Sequence, residues 1–269
     1  MPATRINGSD MAYEMYRPGA GVQGPGLVLI HGFPLDGRIW TPVAELTSRH
    51  RLTIVPDLRG FGRSAGGPFT IDSLADDIQA LLVHLDALPA VVAGLSMGGY
   101  VALSLLRRHP ESVAGLGLVD TRAAADDEAG RQKRNAMIDL VRREGPRAVA
   151  QVADQMLPNL LAESSLGRDP GLRERVRRMM MEVPPATLEQ AALAMRDRRD
   201  ERDLLPGLRM PVAVVVGAQD QITPLEKAGF EFAEGVAQTT IVPESGHLTP
   251  VESPEVVAEA LEGLMRRVG

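Results

Sequence analysis

Val91-Val92-Ala93-Gly94-Leu95-Ser96-Met97-Gly98-Gly99-Tyr100 joins a run of apolar, β-branched residues to a Gly-x-Ser-x-Gly turn, and helical spacing resumes at Val101, Leu105 and Leu106. The order predicts a strand, a sharp turn and a helix. A serine held at such a turn takes a strained backbone conformation, and strand and helix must then approach so closely that only glycine fits at Gly94 and Gly98. Ser96 would project clear of the sheet, with the first amides of the helix pointing at it. The pattern alone also occurs by chance, with a serine that merely caps a helix, so the rest of the chain has to decide.

Working outward, the 269 residues suffice for one large α/β domain or two small ones, with a substantial core. A net charge of -6 argues against a general nucleic-acid or anionic-membrane binder, which needs an excess of Lys and Arg. No cysteine is present, which excludes disulfides, thiolate metal sites and cysteine nucleophiles and fits a reducing compartment. The segment from Met1 to Asp10 lacks the apolar centre of a signal peptide, and no later stretch reaches the length of a membrane span. A soluble, cytoplasmic protein is expected. No His, Asp and Glu cluster has metal-ligand spacing, so neither a metal nor another cofactor is called for.

Before the serine turn, residues 5–16 read as two short strands around Asn7-Gly8, and Leu27-Val28-Leu29-Ile30 as a strand covered on both faces. Residues 38–49 read as a helix, Leu52-Thr53-Ile54-Val55 as a strand, and 70–85 as an amphipathic helix opened by Thr70 or Asp72. Beyond it, Met97–His109 is a helix and Val113–Val119 a strand, after which the alternation stops. Residues 121–205 carry only helical periodicity broken by Gly and Pro, too long for a loop, and are expected to form a helical cap on a core of 1–120 and 206–269. Val212–Val216 restores the sheet, followed by a helix near Pro224–Ala233, a strand at Thr239–Val242 and a final helix from Ser253 to Val268. The rhythm predicts an α/β fold with a mostly parallel eight-stranded sheet flanked by helices, the cap inserted after the sixth strand.

In a parallel sheet the loops leaving the carboxyl ends of the strands share one edge, where ligands bind. Here those loops present His31-Gly32-Phe33, Ser96, Asp220 and His247, and Asp120 also lies just past a strand. The signatures His-Gly-Phe-Pro at 31–34, Asp-Leu-Arg-Gly-Phe-Gly-Arg-Ser at 57–64, Gly-Leu-Ser-Met-Gly-Gly at 94–99, Gly-Ala-Gln-Asp at 217–220 and Ser-Gly-His at 245–247 follow one another in order. With these, the chain resembles the α/β-hydrolase superfamily over nearly its whole length, and within it the small bacterial serine esterases, perhydrolases and 3-oxoadipate enol-lactonases.

The resemblance implies acyl transfer. Ser96 would be the nucleophile, His247 its general base, and Asp220 the acid that orients the imidazole, with Asp120 a competitor for that place. The backbone N–H groups of Phe33 and Met97 would form the oxyanion hole. Trp40, Met156 and Met181 are expected to face the substrate, since methionine adapts to irregular apolar space. His31 should brace its loop by hydrogen bonds, and Asp57 with Arg59 should form a loop-bracing pair. The partner is then a small-molecule ester or lactone, and activity should fall on the acid side near the ordinary histidine pKa of about 6.5. Perhydrolysis or carbon-carbon bond hydrolysis would use the same triad, and a receptor-like ligand binder with little turnover would keep the fold. An aspartate nucleophile, as in haloalkane or epoxide hydrolases, is disfavoured by Ser96.

Overall fold

The computed structural model describes residues 2–19, 24–224, 226 and 237–269. Strands β1 (Ala3–Ile6) and β2 (Ser9–Tyr16) form the expected hairpin. Asn7 and Gly8 both take positive φ, 45° and 81°, which gives the two-residue turn the twist of its strands. β2 pairs antiparallel with β4 (Thr53–Pro56), and every pairing beyond it is parallel: β3 (Leu27–Ile30), β5 (Ala90–Leu95), β6 (Val113–Val119), β7 (Val212–Gly217) and β8 (Ala237–Val242). Across the sheet the order is β1-β2-β4-β3-β5-β6-β7-β8.

Continuous apolar runs mark the strands of the middle of the sheet because successive side chains feed two different cores. Val28, Ile30, Val92, Val214 and Val216 point to one face, where they meet α2 (Ile71–His84) and α3 (Met97–Arg108) through Leu74, Ile78, Val101 and Leu105. Leu27, Leu29, Val91, Ala93 and Val215 point to the other, against α1 (Thr41–Thr47) and the C-terminal helix (Pro254–Val268) through Val43, Leu261 and Leu264. Thr70 opens α2 by accepting the Ser73 N–H while Ser73 accepts that of Thr70. The helix read over 38–49 is divided: a 3₁₀ turn covers Gly37–Trp40, and α1 begins at Thr41 with Pro42 in its first turn, where proline lacks no needed donor. The helix read near Pro224–Ala233 lies outside the described residues apart from 224 and 226.

Between β6 and β7 the chain forms α4 (Glu128–Glu144), α5 (Arg147–Met156), α6 (Glu163–Arg168), α7 (Leu172–Met181) and α8 (Pro185–Arg196), with no strand. Its base is held by Asp126, whose buried carboxylate accepts from Arg122, Arg134 and Arg198. Burial opposes that charge, but the guanidinium groups of Arg134 and Arg198 win and hold the Asp126 pKa down at about 2. No helix among the described residues is long and apolar enough to cross a membrane.

Candidate active site

The turn after β5 is as tight as its glycines imply. Ser96 sits at φ 51°, ψ -112°, outside the helical region, and α3 starts at the next residue. A Cβ on Gly94 would lie 2.1 Å from the Gly98 carbonyl oxygen, and one on Gly98 would lie 2.2 Å from that of Ile30. Both obstacles are backbone, so no rotamer change relieves them. Gly98→Ala is therefore expected to cost about 3 kcal/mol or more through overpacking. A thermal melt would register this as a drop of about 6 °C or more; an unchanged Tm would refute this account of the turn.

Neighbouring strand ends then step the site into place. The Ser96 N–H donates to Val119 O at 2.9 Å, that of Asp120 to Val215 O at 2.9 Å, and that of Ala218 to Val242 O at 2.9 Å. Each loop thus leaves the sheet beside the next. Ser96 Oγ lies 2.9 Å from His247 Nε2, and His247 Nδ1 lies 2.8 Å from Asp220 Oδ2. Three side chains separated by up to 151 positions in sequence are in one hydrogen-bonded row. His247 and Asp220 are buried, whereas Ser96 is half-buried and reachable. Beneath them the backbones touch: a Cβ on Gly217 would stand 1.9 Å from Gly246 O.

A family model for the alpha/beta hydrolase family matches residues 27–260. The chain belongs to this family. Among solved structures, a thermophilic esterase from Thermogutta terrifontis with malate bound is 37% identical and superposes with a TM-score of 0.92 over 100% of this chain and 99% of that one. A pimeloyl-[acyl-carrier protein] methyl ester esterase of Chromobacterium violaceum is 33% identical over 84% of this chain and 88% of its own length. For 3-oxoadipate enol-lactonase 2 of Acinetobacter baylyi the identity is 29%, with coverage of 90% and 89%.

Two carboxyl groups compete for the imidazole of this α/β hydrolase, and their surroundings separate them. Asp120 is fully buried, its Oδ1 accepting from Gly217 N at 2.9 Å and its Oδ2 from Thr249 Oγ1 at 2.6 Å. Burial, with the charge of Asp220 added to it, pushes its pKa well above the usual carboxylate range. Asp220 is also buried, but His247, Thr223 Oγ1 and the N–H groups of Ile222 and Thr223 draw its pKa below that range. Asp220 is the ionised partner. For His247, burial disfavours the cation, yet the charge and hydrogen bond of Asp220 outweigh it, with Asp120 and Glu252 adding to them, so its pKa lies above 6.5 rather than at it.

The loop after β3 leans on the nucleophile turn: a Cβ on Gly32 would meet Leu95 O at 3.1 Å and Ser96 Cβ at 3.2 Å. Among the described residues, no acceptor meets the N–H of Phe33 or of Met97. The Phe33 ring packs edge-on to Phe61 at 6.5 Å. His31 braces this loop as expected, its Nε2 accepting the Leu58 N–H at 2.9 Å and its Nδ1 donating to Gly32 O at 3.0 Å. Asp57 and Arg59 brace it too, but not as a pair. Asp57 accepts from Gly37 N and Arg63 N, while Arg59 reaches across to Asp77 on α2 at 2.8 Å. Of the side chains expected at the substrate, Met156 is half-buried between the two cores. Trp40 is fully enclosed in the core on the α1 face, and Met181 ends α7 with 39% of its surface in solvent.

Sequence reading passed over Thr223, Thr249 and Glu252. Thr223 touches both Asp220 and His247, at 2.6 Å and 3.3 Å, and Thr249 satisfies Asp120. Thr223, three residues after Asp220, and Thr249, two after His247, are placed where the sequence offers a signal; Glu252, five after His247, is not. Among the described residues, no group of three or more His, Asp or Glu side chains is placed to hold a metal ion.

Proposed function

We propose that this hydrolase cleaves small carboxylic esters or lactones through an acyl-enzyme on Ser96. The observation that carries the reading is the placement of His247, within 2.9 Å of Ser96 Oγ and 2.8 Å of Asp220. Nδ1–H donates to the Asp220 carboxylate, which fixes the tautomer and leaves Nε2 free to accept the Ser96 proton. As that proton moves, Oγ attacks the ester carbonyl, and the imidazolium returns the proton to the leaving alkoxide. Water then repeats the sequence on the acyl-enzyme, giving the carboxylic acid and restoring the serine. The N–H groups of Phe33 and Met97 would receive the oxyanion, each donor worth about 10²-fold to 10³-fold in rate.

The segment between β6 and β7 would act as the cap. Support comes from its contact with the site, where the His247 N–H donates to Leu160 O at 3.0 Å, and from Met156, the pocket candidate that sits at the seam of the two cores. Trp40 and Met181 would contribute only indirectly, one as buried support and the other at the rim. The scheme needs no cofactor.

A panel of p-nitrophenyl esters of increasing acyl length, with lactones alongside, tests the reading. Turnover of the short members without added metal or cofactor is expected. Protonating His247 removes the base, so kcat/KM should fall as pH drops, and because Asp220 stabilises the cation the acid limb should lie above about 6.5. Absence of turnover across the panel would defeat the proposal.

A further inference from the structure

Glu252 is a carboxylate where none would be expected. It is only 7% exposed, in the turn Thr249–Glu252 just after His247, and among the described residues no Lys or Arg forms a salt bridge with its carboxylate. Instead it collects backbone donors. Its Oε1 accepts the Leu248 N–H at 3.0 Å, both oxygens accept that of Gly246 at 3.0 Å, and Oε2 accepts that of Ala162 at 2.8 Å. Four such bonds fill the roughly four acceptor positions of a carboxylate. Two of the three donors flank His247, and the third belongs to the segment between β6 and β7.

That segment is also tied to the histidine directly, by His247 N to Leu160 O at 3.0 Å. The fit leaves no slack, since a Cβ on Gly246 would meet Ala162 N at 2.9 Å and Leu160 O at 3.1 Å. Residues 160–162 and 246–248 therefore form one backbone unit with Glu252 at its centre. A buried carboxylate is costly to desolvate, and backbone N–H donors offset that cost only while they stay converged on it. Their convergence fixes the turn that aims the imidazole.

We infer that Glu252 is a positioning residue, locking the His247 turn to residues 160–162 so that the seating of the helical segment sets the aim of the imidazole at Ser96. The inference rests on the acyl-enzyme reading given above. Three carboxyl groups face His247: Asp220 from the loop after β7, Asp120 from the end of β6, and Glu252 from its own turn. The Arg168 guanidinium reaches only the outer side of this region, at Glu252 O and the Glu244 carboxylate.

Glu252→Gln removes the charge and puts an NH₂ among N–H donors, whereas Glu252→Asp keeps the charge but withdraws it by one methylene. With p-nitrophenyl acetate, Glu252→Gln should lose up to about 10²-fold in kcat with KM little changed, the scale of a misplaced catalytic group. Its acid limb should move to lower pH, because a negative charge near the imidazolium is gone. Hydrogen exchange should show lost protection at Ala162, Gly246 and Leu248. Glu252→Asp should lose kcat while keeping the acid limb near that of the parent, and it decides the question should Glu252→Gln fail to fold. Parental kcat in either folded variant, or an unmoved acid limb in folded Glu252→Gln, would overturn the inference. Turnover surviving in Ser96→Ala would instead refute the acyl-enzyme reading, so the two failures are distinguishable.

Discussion

Ser96→Ala is expected to lower kcat for p-nitrophenyl acetate by about 10⁴-fold to 10⁶-fold while leaving the fold intact. The size follows from what one atom does. In the proposed mechanism Oγ is the group from which His247 Nε2, 2.9 Å away, takes a proton, and without it the proposed oxyanion donors would have no intermediate to stabilise. Stability should hardly change. Alanine keeps the Cβ and the strained φ of 51°, and the loss is confined to one hydrogen bond at a half-buried position, worth about 1 kcal/mol. Kinetics of the purified variant, paired with a thermal melt, check both halves. Ester turnover within a factor of about ten of the parent would place the nucleophile elsewhere.

Asp220→Asn should be nearly as severe, about 10⁴-fold in kcat, because an amide can donate to Nδ1 and so favours the tautomer that blocks Nε2 as a base. Asp120→Asn should behave differently. Burial and the neighbouring Asp220 charge keep Asp120 from ionising easily, so asparagine resembles the group already there. Its Oδ1 can still accept the Gly217 N–H, and its NH₂ can donate to Thr249 Oγ1. Turnover within about tenfold of the parent is expected, with the larger effect on Tm, since the buried Thr249 N–H loses an acceptor. Steady-state kinetics on the two variants decide the matter. An inactive Asp120→Asn beside an active Asp220→Asn would transfer the acid role to Asp120.

The parts of the fold that were legible in the chain are those where local and global demands coincide. The Gly94 and Gly98 spacing forces a strand and a helix together, and the unbroken apolar runs at 27–30 and 212–216 require cover on both faces. Ser96, Asp220 and His247 could be read because each lies in a loop beyond a strand end. What stayed hidden depends on contacts distant in sequence. Arg59 finds Asp77 rather than its near neighbour Asp57, because α2 brings that carboxylate across the loop. Glu252, between Val251 and Ser253 ahead of a proline, has the local signature of an ordinary surface acid in a first helical turn. Only the folded chain reveals that four hydrogen bonds converge on it.

The meeting of Gly217 with Gly246 limits how this catalyst can be remodelled. With a Cβ on Gly217 falling 1.9 Å from the Gly246 carbonyl oxygen, the segments bearing Asp220 and His247 are interlocked like two cogs and cannot be diversified separately. Room for new sequence lies instead at Ala218 and Gln219, whose side chains face solvent beside that junction. Any grafted loop must therefore carry over the bare backbone at 217 and spend its variety on the two positions after it.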